Sequence, residues 1–322
     1  MTQIMGNLLS ARVRPSAVFD HVGIDYAGPI RLRASAGRGH TSFKGYISVF
    51  VCLVTKAVHL EVVSGLDTRS FLHAFKRFIS RRGLCSHVYS DCGKNFVGAD
   101  AELRELFNKN SVKSRAIVDD LSTQGVQWHF NPPAAPHFGG LWEAAVKSFK
   151  FHMKRVIGEQ TLTFEEMSTL MSSVEACMNS RPLVPLSDDH NDLSALTPAH
   201  FLIGRTLLSL PESGHQDENP GLLKRWQLIN QMKESMWVRW KRDYLQSLQP
   251  RGKWVKEKQN LQVGDLVIIS SEQTAPSQWP LGRVLQTFPG SDNLVRAAQV
   301  RTYEGSFRRP IQKLILLPRE SN

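Results

Sequence analysis

Residues 19–30, FDHVGIDYAGPI, alternate apolar and polar side chains and stop at Gly28-Pro29, the pattern of a strand that ends in a turn. An acid, Asp25, stands in the middle of that strand, where a charge needs a reason. Two β-rich runs follow, YISVFVCLV at 46–54 and AVHLEVV at 57–63, joined at hairpin spacing by Thr55 and Lys56. Asp67 then caps a helix in which Phe71, Leu72, Phe75, Phe78 and Ile79 recur at helical intervals until Gly83. A short strand through Val88 and Tyr89 runs into the turn Asp91-Cys92-Gly93. An amphipathic helix near 100–109 and a further β run, GVQWHF at 125–130, complete the pattern. Antiparallel strands first and alternation afterwards predict a mixed sheet with helices on its faces.

Beyond residue 130 the prolines at 132, 133 and 136 and the pair Gly139-Gly140 predict a loop that opens a helix at about Leu141, running to Val156. Thr163 with Glu166 three residues on is a capping-box pattern for a second helix, which ends before Pro182. Residues 183–220 read as loop, rich in Pro, Ser, Asp and His. Residues 222–247 return to helical spacing through Leu222, Trp226, Ile229, Met236 and Trp240. The last 60 residues are β-rich: VGDLVIIS at 263–270, a strand start at Gly282-Arg283-Val284, a turn at 289–292 and closing strands at 294–302 and 311–317. A small barrel of short strands is the economical reading. The expected division is a linker remnant at 1–15, a core at 16–210, a helical linker at 211–258 and a barrel at 259–318.

The chain carries 40 Lys and Arg against 29 Asp and Glu, a net +11 with His neutral, and 41% hydrophobic residues, enough for ordinary cores. Such a balance favours a polyanionic partner. The longest apolar run, near 46–54, is far short of the roughly 20 residues of a membrane span. The first 15 residues lack a signal-peptide apolar region, so membrane and secretory roles are disfavoured. Cys52, Cys85, Cys92 and Cys177 form no CxxC pair, which argues against a zinc knuckle or a disulfide framework.

Three acids stand out by position: Asp25 in mid-strand, Asp91 where a strand runs out, and Glu143 at the opening of the helix after Gly139-Gly140. Carboxylates from a sheet centre, a strand end and a helix can converge at one edge of a mixed sheet and supply the hard oxygen ligands that Mg²⁺ or Mn²⁺ prefers. The structural alternative makes Asp25 an edge-strand charge, Asp91 a turn former and Glu143 a favourable acid at a helix N-terminus.

The sequence around these acids resembles the DDE catalytic core of retroviral and retrotransposon integrases, most closely the BEL/Pao type. Asp25 lies in VGIDYAGPI, Asp91 in YSDCGKNF and Glu143 in PPAAPHFGGLWEAAVKSFK. NSRPL at 179–183, TPAHFLIGR at 197–205 and the later WKRDYL, VGDLVIIS and PLGRV follow in order, so the resemblance runs from about residue 16 to 318. It implies an α/β fold with a ribonuclease H-like mixed sheet and flanking helices, then a helical linker and a small Src-homology-3-like C-terminal β-barrel. It also implies two Mg²⁺ or Mn²⁺ ions held by Asp25, Asp91 and Glu143, serving 3′-end trimming and strand transfer of element DNA into target DNA without a covalent enzyme intermediate. The implied setting is a nuclear protein with a cytoplasmic phase, a homo-oligomer on double-stranded DNA, away from membranes. Two departures stand out. The 51 residues between Asp91 and Glu143 exceed the spacing of retroviral enzymes, which calls for an insertion around 97–122. The paired His and Cys of the family's N-terminal zinc module are also missing. An inactive or co-opted DNA-binding remnant and a ribonuclease H-type hydrolase are the alternative readings.

Lys147, Lys150 and Lys154 follow Glu143 at i+4, i+7 and i+11, on one helix face, where a phosphate backbone approaching the metals would meet them; otherwise they form a solvated amphipathic face. His137 with the two glycines is either a mobile loop over the DNA end or a plain helix entry. Lys94 and Asn95 either orient substrate or shape a turn. His59 and the tryptophans Trp226, Trp237, Trp240 and Trp254 read as structural. The last 112 residues hold 17 Lys and Arg against 11 Asp and Glu. Arg283, Arg296, Arg301, Arg308 and Arg309 on a small barrel suggest sequence-independent phosphate binding.

Overall fold

The computed structural model describes residues 14–35, 41–113, 125–130, 140–207, 222–249, 260–271 and 274–318. Its contacts divide the chain into two compact units, residues 1–175 and 176–322, with the division inside a helix.

The first unit is built on a mixed sheet. Strands β1 (His21–Arg33), β2 (Ser42–Cys52), β3 (Val58–Val63), β4 (His87–Ser90) and β5 (Gln127–Phe130) lie in the order β3-β2-β1-β4-β5. The first three are antiparallel neighbours, while β4 runs parallel to both β1 and β5. Strand β1 does not end at Gly28-Pro29 as its sequence suggests. Gly28, at φ 137°, and Pro29 bulge out, and pairing with β2 resumes at Ile30 opposite Gly45. A short β6 (Leu162–Thr163) pairs with the far end of β1.

Helices α1 (Thr68–Arg82) and α2 (Lys94–Lys113) cover one sheet face. Asp67 caps α1 by accepting from Ser70 N at 2.9 Å, and Gly83 closes it. Because side chains alternate along a strand, Ile24, Phe50 and Trp128 meet these helices. Phe50 stacks on Phe78 at 4.4 Å, and Trp128 packs on Phe71 at 5.8 Å. Burying such aromatics contributes roughly 1.5–3 kcal/mol each.

On this same face, at edge strand β3, His59 and Glu61 are buried. Glu61 accepts from Arg77 Nε at 2.6 Å and Arg81 at 2.9 Å. His59 lies 3.1 Å from Glu61 and 3.3 Å from Glu175, which also binds Arg82 and accepts the Leu60 N–H. Burial opposes a charged His59, yet its two carboxylate partners outweigh that and raise its pKa; Glu61 is held below the usual carboxylate value by His59 and Arg77 against its own burial. His59 is thus structural, as expected.

The other sheet face receives α3 (Gly140–Ile157) and α4 (Phe164–Asn179), which bury Val146, Phe149, Met153, Met167, Leu170 and Met171. The capping box of α4 forms as read: Thr163 N donates to Glu166 at 2.7 Å and Glu166 N to Thr163 Oγ1 at 3.2 Å.

The second unit contains the end of α4, a small ladder of β7 (Val184–Pro185) and β8 (Ala195–Leu196), α5 (Pro198–Ile203), α6 (Leu222–Leu248), and a separate antiparallel sheet. That sheet orders β9 (Leu266–Ile269), β10 (Leu281–Pro289), β11 (Val295–Thr302), β12 (Gly305–Pro310) and β13 (Leu314–Leu316) as β12-β11-β10-β9-β13. Its core joins Leu193, Ala195 and Leu245 to Leu266, Ile268, Ile315 and Leu317. The segment around β7 and β8, read from sequence as loop before a boundary near 210, therefore packs on the strands of this sheet.

Helix α6 is likewise more than a spacer. Trp237 Nε1 donates to Thr274 O at 3.1 Å, and Lys241 Nζ donates to Ser271 O and Thr274 Oγ1. Trp279 packs edge-on against Trp237, Trp240 and Tyr244 and donates to Ser180 Oγ at 3.0 Å. Arg181, buried, donates to Met178 O, and burial lowers its pKa to about 10. NSRPL at 179–183 is thus a packing element of this unit. Trp226, by contrast, is exposed, and Trp254 lies outside the described residues. Among the described residues no helix is long and apolar enough to cross a membrane.

Candidate nucleic-acid and metal site

Asp25 lies on β1, on the sheet face that receives α3. Strand alternation puts His21, Gly23 and Asp25 on one face and Val22 and Ile24 on the aromatic face. The parallel register of β1 and β4 sets Val22 opposite Val88 and Gly23 opposite Tyr89. The pairing ends there, two residues before Asp25 on β1 and two before Asp91, the residue that follows β4. Asp91 is exposed, and its Oδ1 accepts from Gly93 N at 3.0 Å, so it also shapes the turn into α2.

Helix α3 supplies the third side of the site. Lys150 Nζ donates to Asp25 Oδ2 at 2.7 Å, and the second Asp25 oxygen accepts from Tyr26 N at 2.6 Å. Both side chains are partly exposed, 37% for Lys150 and 28% for Asp25. The contact sets the Lys150 face of α3 against β1 at Asp25. Glu143 precedes Lys150 by seven residues on this helix; its side chain lies outside the described residues, as does His137 altogether. Lys147 and Lys154 are exposed on α3.

Asp25 and Asp91 offer hard oxygen donors of the kind Mg²⁺ and Mn²⁺ accept. Among the described residues no group of three or more His, Cys, Asp or Glu is arranged to hold a metal ion, a statement that leaves out the Glu143 carboxylate. Lys94 is exposed at the start of α2, and Asn95 is partly buried beside the Tyr26 phenol, whose ionisation burial strongly opposes.

The sequence reading missed a row of rings on the same face. His21 stacks on His87 at 4.4 Å, His87 Nδ1 lies 3.0 Å from His129 Nε2, and His129 stacks on Tyr89 at 4.7 Å. Burial and the neighbouring His87 lower the pKa of His21 and of His129. The available signal was the alternation that puts these residues on the Asp25 face of three adjacent strands.

The arginines of the five-stranded sheet separate into three kinds. Arg283 is buried, and its guanidinium donates to Asp192 O at 2.8 Å, Gly264 O at 2.9 Å and Ser187 O at 2.7 Å. This corrects its assignment as a phosphate contact, because its donors are spent on carbonyls inside the unit. Arg296 makes a two-pronged pair with Asp292, and Arg301 donates to Asn191 Oδ1 and His190 O. Arg308 and Arg309 are exposed on β12, lying over the rings of Phe288 at 4.0 Å and Phe307 at 5.3 Å.

Residues 224–317 match a family of unknown function, DUF5641. The match spans α6 and the five-stranded sheet together, the two parts that the Trp237–Trp279 cluster joins. A search of curated proteins finds no match. Among solved structures, the chain is similar to a chain of the cryo-EM structure of the simian T-cell lymphotropic virus intasome in complex with the PP2A regulatory subunit B56 gamma. That similarity has 12% identity and a TM-score of 0.39, over 96% of this chain and 82% of that one. At that score the likeness does not define the fold or the site.

Proposed function

We propose that this protein is an integrase-like polynucleotidyl transferase of the BEL/Pao retrotransposon type, with a ribonuclease H-like core and an Src-homology-3-like barrel. The observation that carries the proposal is the parallel pairing of β1 with β4, which ends two residues before Asp25 and Asp91, together with the contact of Asp25 with Lys150 of the Glu143-bearing helix. The two described acids fit a hard divalent cation by donor type, and Asp25, Asp91 and Glu143 would hold two Mg²⁺ or Mn²⁺ ions. When bound, such ions activate the attacking oxygen and stabilise the leaving oxygen of a phosphoryl displacement. Lys150, at hydrogen-bond distance from Asp25, orients that carboxylate and can reach a phosphate of DNA laid along α3. Lys147 and Lys154 on α3 would extend the same cationic line, and Lys94, Asn95 and His137 are further candidates for DNA contact. Arg296 and Arg301 would add backbone contacts on double-stranded DNA. A homo-oligomer acting in the nucleus after a cytoplasmic phase follows from this reading.

One contact favours the second reading, a DNA-holding remnant without catalysis: the Lys150 ammonium already neutralises Asp25. A strand-transfer assay on a short duplex with Mg²⁺ separates the two. Transfer by the full chain that disappears in Asp91→Asn supports the enzyme. DNA binding with no transfer in either protein supports the remnant, and the absence of DNA binding removes both.

A further inference from the structure

The outermost strand of the barrel has a geometry that phosphate binding does not explain. Strand β12 ends the sheet order, pairs only with β11 among the described residues, and is exposed at all six positions. Its register with β11 runs unbroken from Thr302 opposite Gly305 to Ala297 opposite Pro310. Antiparallel residues alternate between those that exchange hydrogen bonds with the neighbour and those whose N–H and C=O face away. Pro310 has no N–H to give, so it belongs to the outward set. Alternation then turns the N–H and C=O of Arg308 and Ser306 outward as well. The barrel therefore presents an open row of backbone donors and acceptors.

The side chains beside that row are placed for an added strand. Consecutive residues of a strand project to opposite faces. Arg308 reaches over Phe288 on one face and Arg309 over Phe307 on the other, so their charges straddle the edge. A phosphate backbone would follow a stripe on one face. A peptide strand added to the edge would instead set successive side chains above and below it, one beside each guanidinium. The ring contacts hold the two arginines in place and reduce what binding must order. A second copy of β12 is a poor occupant, because it would bring four arginines together, the usual way in which a charged edge resists self-pairing.

We propose that β12 is a docking edge for an extended acidic peptide, which pairs with the outward groups of Ser306 and Arg308 and sets two adjacent carboxylates against Arg308 and Arg309. Main-chain hydrogen bonds would supply the grip and the carboxylate pair the selectivity, as in other strand-addition complexes. Phe307, 38% exposed, gives the added strand an apolar neighbour.

The test uses the full chain and a fluorescent eight-residue peptide with two central adjacent acidic residues flanked by Val and Thr, read by anisotropy. Two N-methylated versions block the amides along one edge of the peptide or along the other. One version should lose affinity by about tenfold or more while the other binds like the parent, because only one edge meets β12. The double variant Arg308→Glu, Arg309→Glu should also lose about tenfold or more. Equal binding by all three peptides means that charge alone is being read and overturns the proposal. Unchanged affinity in the double variant, or a parent peptide that does not bind, also overturns it. So does a DNA duplex that loses affinity in the double variant while the peptide never binds, since β12 would then be a phosphate contact. No metal or strand transfer enters the measurement, so its failure leaves the proposed chemistry standing.

Discussion

Arg283 on β10 and Arg308 on the edge strand β12 carry the same charge in opposite circumstances. Arg283 is enclosed and donates to three backbone carbonyls, two of them from the segment around β7 and β8. Arg308 rests on a ring, with its guanidinium in solvent. The acids of the first unit divide in the same way. Glu61 and Glu175 are held by arginines and His59 at the β3 edge, whereas Asp25 has one partly exposed lysine and Asp91 a turn. Charge that is fully partnered inside a unit supports the fold. Charge with a single exposed partner remains available to a ligand.

The comparison breaks if the enclosed charges prove dispensable. Arg283→Ala leaves three carbonyls without their donor and should cost about 3 kcal/mol or more, read by urea unfolding of the full chain, whereas Arg308→Ala should stay within about 1 kcal/mol. Equal losses would erase the distinction. Next in size, Glu175→Gln weakens the contacts to Arg82 and His59 at a site with slight exposure and should cost about 2 kcal/mol, with a lower Tm as the readout.

The same network predicts a pH profile. His59 has a folded pKa above its ordinary 6.5, so its contribution is complete below 6.5 and is lost as pH rises through the folded value. Glu61 lies below its ordinary 4.5, so its contribution is present above 4.5 and is lost as pH falls through its folded value. Between 4.5 and 6.5 both are intact. Thermal melts of the full chain and of His59→Gln should differ most in that window, and their gap should narrow on the alkaline side; a constant gap at all pH values would exclude a charged His59.

The smallest expected effect on stability is at Lys150. Lys150→Gln removes a partly exposed pair and should shift stability by under about 1 kcal/mol. Under the proposed function it should also reduce the salt slope of DNA binding by about 0.9. A large stability loss with an unchanged slope would move Lys150 to the partnered class.

Much of the first sheet was legible because YISVFVCLV and AVHLEVV are continuous apolar runs, buried at nearly every position between helices on both faces, and because Asp67 and Thr163-Glu166 are local caps. Strand β12 was not legible, since GSFRRP buries no side chain and so has no period to detect. Of the candidate site, Asp25 and Asp91 could be picked out by their places in strand and turn, and Lys150 by its helical interval. The ring row of His21, His87, Tyr89 and His129 could not, because it forms only once three strands separated in sequence lie in register.

The sequence by itself determined where periodic helices and strands form, where they are capped, and which acids interrupt them, because each depends on residues a few positions apart. Only the tertiary structure decided that residues 184–196 pack on the five-stranded sheet, that Arg283 is spent on carbonyls inside its unit while Arg308 is not, and that Asp25 meets Lys150. The physical reason is that burial and partnership are settled by residues distant in the chain. A guanidinium enclosed by three carbonyls and one open to water have the same local sequence signal.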